Sequence, residues 1–109
     1  MDWSDITGSK YLTKDHVGET GKNLTIQRIL REQLAGKTQG DREIKPVLYF
    51  EEEVPPMILN KTNVKRLQHY FPDAPTPNEL KGEVINAYFD PTIEFAGKIT
   101  GGLRIREKQ

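Results

Sequence analysis

Lys22-Asn23-Leu24-Thr25-Ile26-Gln27-Arg28-Ile29-Leu30-Arg31-Glu32-Gln33-Leu34 decides the fold, because it satisfies two periodicities at once. Leu24, Ile26 and Leu30 stand in period two, whereas Ile26, Ile29, Leu30 and Leu34 make a helical stripe that stops before Gly36. Spacing alone slightly favours the helix. The β-branched Thr25 and Ile26 favour extended backbone, and the rest of the chain needs a partner strand here, so we read a strand from Leu24.

Upstream, residues 1–21 hold Gly8, Gly18 and Gly21 among polar side chains, with Trp3, Ile6, Tyr11, Leu12 and Val17 as the apolar anchors. They read as an irregular N-terminal arm, and residues 22–109 as a single domain. Met1-Asp2-Trp3-Ser4-Asp5 carries two acids and no apolar run, which is unlike a secretory signal and points to an intracellular setting. Downstream, Ala35 to Glu43 contains two glycines and no large apolar side chain, the composition of a solvated loop. Lys45 to Glu51 follows as a strand apolar on both faces, Leu48 and Phe50 against Val47 and Tyr49. Pro55-Pro56 interrupts it, and Met57-Ile58-Leu59 makes a short third strand.

Asn60 and Thr62 are both suited to cap a helix in which Val64, Leu67 and Phe71 share a face until Pro72 ends it. A Pro-rich loop leads to Gly82 and a fourth strand, with Ile85, Ala87 and Phe89 alternating against Val84, Asn86 and Tyr88. Asp90-Pro91 turns the chain, and Ile93 to Arg106 supplies the last pairing material, with Leu103 and Ile105 inward and Arg104 and Arg106 outward. The element order is three strands, a helix and two strands. The expected class is therefore mainly β, a small five-stranded OB-like antiparallel barrel with one helix between strands 3 and 4. A small α+β sheet capped by the helix is the alternative.

The chain has 109 residues, zero formal net charge and no cysteine, so it holds one domain and no disulfide or thiolate metal site. No segment is long and apolar enough to suggest a membrane span. Several segments, Lys10-Tyr11-Leu12, Gly21 to Ile26, Pro46-Val47-Leu48-Tyr49-Phe50, Leu59-Asn60-Lys61-Thr62-Asn63, Gly82-Glu83-Val84-Ile85 and Gly97 to Arg106, resemble small uncharacterised bacteriophage and prophage proteins with an OB-like fold. The resemblance spans most of the chain after residue 9. It implies that fold and a phage or prophage setting in the cytoplasm of a bacterial host.

Motifs of catalysis fail on inspection. Gly18-Glu19-Thr20-Gly21-Lys22 has two residues between its glycines where a phosphate-binding loop has four, and Asn23 stands where the magnesium-binding hydroxyl belongs. His16 and His69 have no carboxylates at metal-ligand spacing, and the Glu51-Glu52-Glu53 triplet alternates faces on extended chain. With no nucleophile, base and orienter set, the expectation is a protein that is not an enzyme and needs no cofactor or small-molecule substrate.

Charge, although balanced overall, is segregated. Residues 21–37, 61–71 and 95–109 each carry a net +3, and the acids fall between them. Folded together, such segments form a basic face able to follow a phosphate backbone. Outward aromatics beside it would stack bases. The candidate nucleic-acid-binding residues are Lys37, Arg42, Tyr49, Tyr88, Lys98, Arg104 and Arg106, and the expected partner is single-stranded DNA. Two alternatives stay open: the same outward Val47, Tyr49 and Tyr88 could seat another phage or host protein, or these are ordinary surface residues that stabilise the sheet.

Overall fold

The structure, a computed structural model, describes residues 10–35 and 42–109. A short helix α1 (Lys14–Val17) precedes β1 (Lys22–Ala35), β2 (Arg42–Phe50) and β3 (Met57–Ile58). Helix α2 (Lys61–Tyr70) and a 3-10 turn (Pro77–Leu80) lead to β4 (Val84–Asp90), a small β5 (Glu94–Phe95) and β6 (Lys98–Ile99) ribbon, and β7 (Gly102–Glu107). The protein is thus mainly β, built on one antiparallel five-stranded sheet in the order β3-β2-β1-β4-β7. The sheet is open. No ladder joins β3 to β7 among the described residues, so the closure expected from the element order is not reached.

The ambiguous stretch is a strand throughout, longer than its apolar pattern suggested at both ends. Lys22 to Thr25 pair with β4, and Ile26 to Ala35 pair with β2. Between the two partnerships the register slips by one residue, Ile26 facing Phe50 and Arg28 facing Tyr49, which leaves Gln27 as a bulge. The slip explains the helix-like spacing: Leu24 and Ile26 face the core in period two, and after the bulge Ile29, opposite Leu48, is the next inward residue. The hand-over is clamped on both sides. Ile26 exchanges hydrogen bonds of 2.8 Å with Gly82 and Glu83, and Glu51 N–H donates to Thr25 O at 2.9 Å. Glu52, from the acidic triplet, accepts from Thr25 N–H at 2.8 Å and from its hydroxyl at 2.9 Å. Burial, the largest single influence, works against ionisation of Glu52, but the two Thr25 donors and its own backbone N–H together outweigh it and hold its pKa below the usual value.

Leu24, Ile26, Leu48, Met57, Ile85 and Ile105 form the fully buried centre. α2 closes one side of it through Leu67, with Val64 and Phe71 packed alongside, and its N-terminus is capped by Asn60, whose side-chain oxygen accepts from Asn63 N–H at 2.9 Å. The arm expected to be irregular is partly built into the fold. Leu12 and Val17 are buried in the core, Leu12 N–H donates to Pro56 O at 2.8 Å, and Phe89 N–H donates to Gly18 O at 2.8 Å. One apolar side chain departs from the two-faced reading of β2: Val47, assigned to the outer face, is completely buried.

Gly21 and Gly82 both take positive φ, +81° and +90°, but only Gly21 is crowded. A Cβ there would lie 2.9 Å from Tyr88 Cβ and 3.0 Å from Ala87 O, and closer still to Asn86 Oδ1, whereas nothing stands within 4 Å of one at Gly82. Gly82→Ala should cost about 1 to 2 kcal/mol for backbone strain alone. Gly21→Ala should cost roughly 2 kcal/mol more, since the backbone is pushed off β4. Urea unfolding of both variants checks the ranking; equal losses would mean that Gly21 does not pack on β4.

Candidate nucleic-acid interface

Alternation along β4 and β7 sorts the expected residues. Ile85 and Ala87 face the core with Ile105, so Asn86 and Tyr88 face outward, opposite Arg106 and Arg104 respectively. On that face the Arg106 guanidinium carbon sits 4.1 Å from the Tyr88 ring centroid, a stacked cation on an aromatic face. The guanidinium is held by Asn86 Oδ1 at 2.9 Å and Thr20 O at 2.8 Å. Asn86, almost fully buried, in turn donates to Asn23 Oδ1 at 3.1 Å. Gly21 fits the chain against this network without a side chain in the way, which is how Thr20 O reaches Arg106.

A third guanidinium arrives from α2. Arg66 Nη1 donates to Tyr88 Oη and to Ile105 O, both at 3.1 Å. Asn63, one helical turn earlier, donates to Leu103 O at 3.1 Å, and Arg104 Nη1 donates to the same carbonyl at 3.0 Å. Leu103 O and Ile105 O lie two residues apart, so both point to the side of β7 away from β4. Helix side chains thus occupy acceptors that a further strand would have taken, and the edge is covered rather than paired. Arg66 therefore does not share a solvated helix face with Lys61 and Lys65. Spacing held a clue: Asn63 and Arg66 are three apart, on the flank of the stripe through Leu67.

Among the described residues, the partners of Arg66, Arg104 and Arg106 are carbonyls, a hydroxyl, an amide oxygen and a ring face; none is a carboxylate. Asp90, an acid within the field of Arg104 and Arg66, holds a local turn by accepting from Thr92 hydroxyl at 2.6 Å and N–H at 2.9 Å. Those two donors lower its pKa, burial opposes them weakly, and the fields of Arg104 and Arg66 lower it further.

The remaining expected residues are elsewhere. Tyr49 lies on the outer face of β2 opposite Arg28, whose guanidinium is 5.1 Å from its ring centroid. Its hydroxyl donates to Glu32, and that bond, with burial and the carboxylate charge, raises its pKa. Tyr49 and Tyr88 lie beside different parts of β1, near Arg28 and Lys22, roughly 20 Å apart along an extended strand. They do not make one platform. Lys98 is exposed on β6, Arg42 begins β2 with its side chain outside the described atoms, and Lys37 lies outside the described residues.

His16 has a local role, its Nδ1 accepting from Thr13 N–H at 2.9 Å, and exposed His69 stacks edge-on against Tyr70. Among the described residues no group of three or more His, Asp or Glu side chains is placed to hold a metal ion, and no helix is long and apolar enough to cross a membrane. Compared with protein-family models, curated proteins and solved structures, the chain finds no match in any of the three.

Because Asp90 has a depressed pKa, its stabilising effect is present above its unfolded value, about 3.9, and is lost as pH falls through the lower folded value. Carboxyl ¹³C titration should place Asp90 below an ordinary aspartate. Thr92→Val should raise it more than Arg104→Gln does, since the hydrogen bonds outrank the charges. The opposite ranking would make the arginine field the main cause.

Proposed function

We propose that this protein is a non-enzymatic binding module for single-stranded nucleic acid, with the face of β4 and β7 around Tyr88 as its contact surface. One observation carries the reading: Arg66 and Arg106, from two separate basic segments, meet at the Tyr88 side chain, Arg104 stands opposite it in the ladder, and among the described residues all three have only neutral partners. Like charges gathered without acids repel one another, and an anionic ligand relieves that repulsion. Guanidiniums suit phosphate because their forked donors match its oxygens, and a guanidinium stacked on tyrosine extends a flat surface for a base.

The topology supports an OB-like reading. A long first strand is shared between two partners, a helix joins the third strand to the fourth, and the order β3-β2-β1-β4-β7 lacks only the last pairing of such a barrel. In barrels of that kind the ligand usually lies over the second and third strands, which would favour Tyr49. Its local chemistry argues otherwise, since Glu32 on its hydroxyl places a carboxylate where a phosphate would have to pass. We therefore centre the site on Tyr88 and assign Tyr49 a subsidiary part.

Fluorescence anisotropy with a labelled twenty-nucleotide oligo(dT) at several salt concentrations tests this. Three phosphate contacts give a slope of about −2.1 in log affinity against log salt, and Arg104→Gln or Arg106→Gln should each reduce it by about 0.7. Absence of binding at low salt, or binding indifferent to all three arginines, would defeat the proposal.

A further inference from the structure

β2 is nine residues long, but β3 covers only Val47 and Leu48 of it. Leu59 N–H donates to Pro46 O at 2.9 Å, after which the chain turns into α2. That bond fixes the direction of the backbone. Pro46 O points away from β1, so by two-residue alternation the N–H and C=O of Ile44 point the same way. Among the described residues they meet no strand. Proline at position 46 fits this edge, since the donor it lacks would have faced outward too.

Beside the free edge lies a groove of about 560 Å³, bounded by Ile44 and Pro46 of β2, Leu59, and Val64 of α2. Ile44 is 61 % exposed, a large apolar side chain left on the rim. Where the groove passes Val64 and Leu59 it meets a second, mainly apolar cavity of about 170 Å³ that reaches Ile29 and Leu80. An apolar cavity of about 150 Å³ takes a benzene ring, so this one accepts a phenylalanine or leucine side chain.

The opposite wall is cationic. Lys61 and Lys65 line the groove, are exposed, and have no acidic partner among the described residues. Each is placed unfavourably. They are four apart on one helix face, and Lys61 is the first residue of a helix with no acid in its first turn, where the backbone already presents positive charge. Carboxylates supplied from outside would relieve both.

We infer that the groove between β2 and α2 binds an extended peptide whose groove-facing residues, every second one, combine an apolar anchor with flanking acids. The peptide adds to β2 as a strand through Ile44 N–H and C=O; on the face it turns to the groove, one apolar anchor enters the 170 Å³ cavity and carboxylates two residues from it reach Lys61 and Lys65. The site is separate from the arginine patch on β4 and β7, so it stands or falls apart from the nucleic-acid reading.

A displayed library of random ten-residue peptides, selected on the full chain, tests it. Enriched peptides should carry Phe or Leu with Asp or Glu two residues away, and the best of them should shift the amides of 43–46 and 59–68 of the isotopically labelled protein. Lys61→Glu with Lys65→Glu should weaken that peptide about tenfold, and the same peptide with its acids changed to lysine should regain binding to the reversed protein. That rescue cannot come from a misfolded variant. The inference is overturned by no enrichment, by enriched peptides without acids, or by amide shifts elsewhere. It is equally overturned if oligo(dT) displaces the peptide, or if the free protein dimerises through this groove.

Discussion

Every other feature of the structure depends on one strand serving two partners. β1 pairs with β4 over its first four residues and with β2 over the rest, and the bulge at Gln27 lets it change direction between them. Without that change the two halves would be a flat ribbon with two exposed faces. With it, Leu24 and Ile26 from one half and Ile29 from the other look into the same core as Leu48 and Ile85. The bend is held by polar atoms: Glu52 on Thr25, and the Gly82 and Glu83 backbone on Ile26. One member of the Glu51-Glu52-Glu53 triplet thus contributes to the fold's main constraint.

From the bend follows the position of the arginines. Because β1 leaves β4 after Thr25, β4 and β7 form a two-stranded flank whose outer edge must be covered by something other than a strand. α2 supplies it. Asn63 and Arg66 donate to successive outward carbonyls of β7, and the second of these donors also reaches Tyr88 on the outer face. Masking the edge therefore brings a third guanidinium beside the two that β7 already presents. One set of contacts serves both stability and the surface.

Legibility in the sequence followed the range of the interaction. β4 and β7 were readable residue by residue, Tyr88 outward beside Arg104 and Arg106, because a regular ladder preserves period two. α2 was readable from its Asn60 cap and the Val64, Leu67 and Phe71 stripe. β1 was readable as a strand only against its own spacing, since a bulge produces the same three-residue step as a helical turn. The role of Arg66 was not readable, because it depends on which edge the helix packs along. The separation of Tyr49 from Tyr88 likewise depends on the three-dimensional course of β1. Segment charge sums gathered Arg66 with Lys61 and Lys65, yet the fold sends that arginine to β7 while the two lysines line the β2 groove.

The division of that +3 segment is a physical matter rather than an accident of bookkeeping. Arg66, half-buried, is retained by two neutral acceptors, the Tyr88 hydroxyl and the Ile105 carbonyl, which engage its donors without cancelling its charge. Among the described residues Lys61 and Lys65 have no such acceptors, and both are exposed. Hydrogen bonds to neutral atoms fix a cation in place at little cost to the field it projects, whereas a carboxylate partner would have fixed it and quenched that field. Among the described residues the β4 and β7 flank is built in the first way: Asn86, Thr20 O, Leu103 O and Ile105 O hold guanidiniums, and the Asp90 carboxylate is turned to Thr92. Neutralising an exposed charge stabilises a fold by at most about 1 kcal/mol, so little in the folding free energy selects for or against such arginines, and their placement without carboxylates is the feature on which the proposed binding face rests.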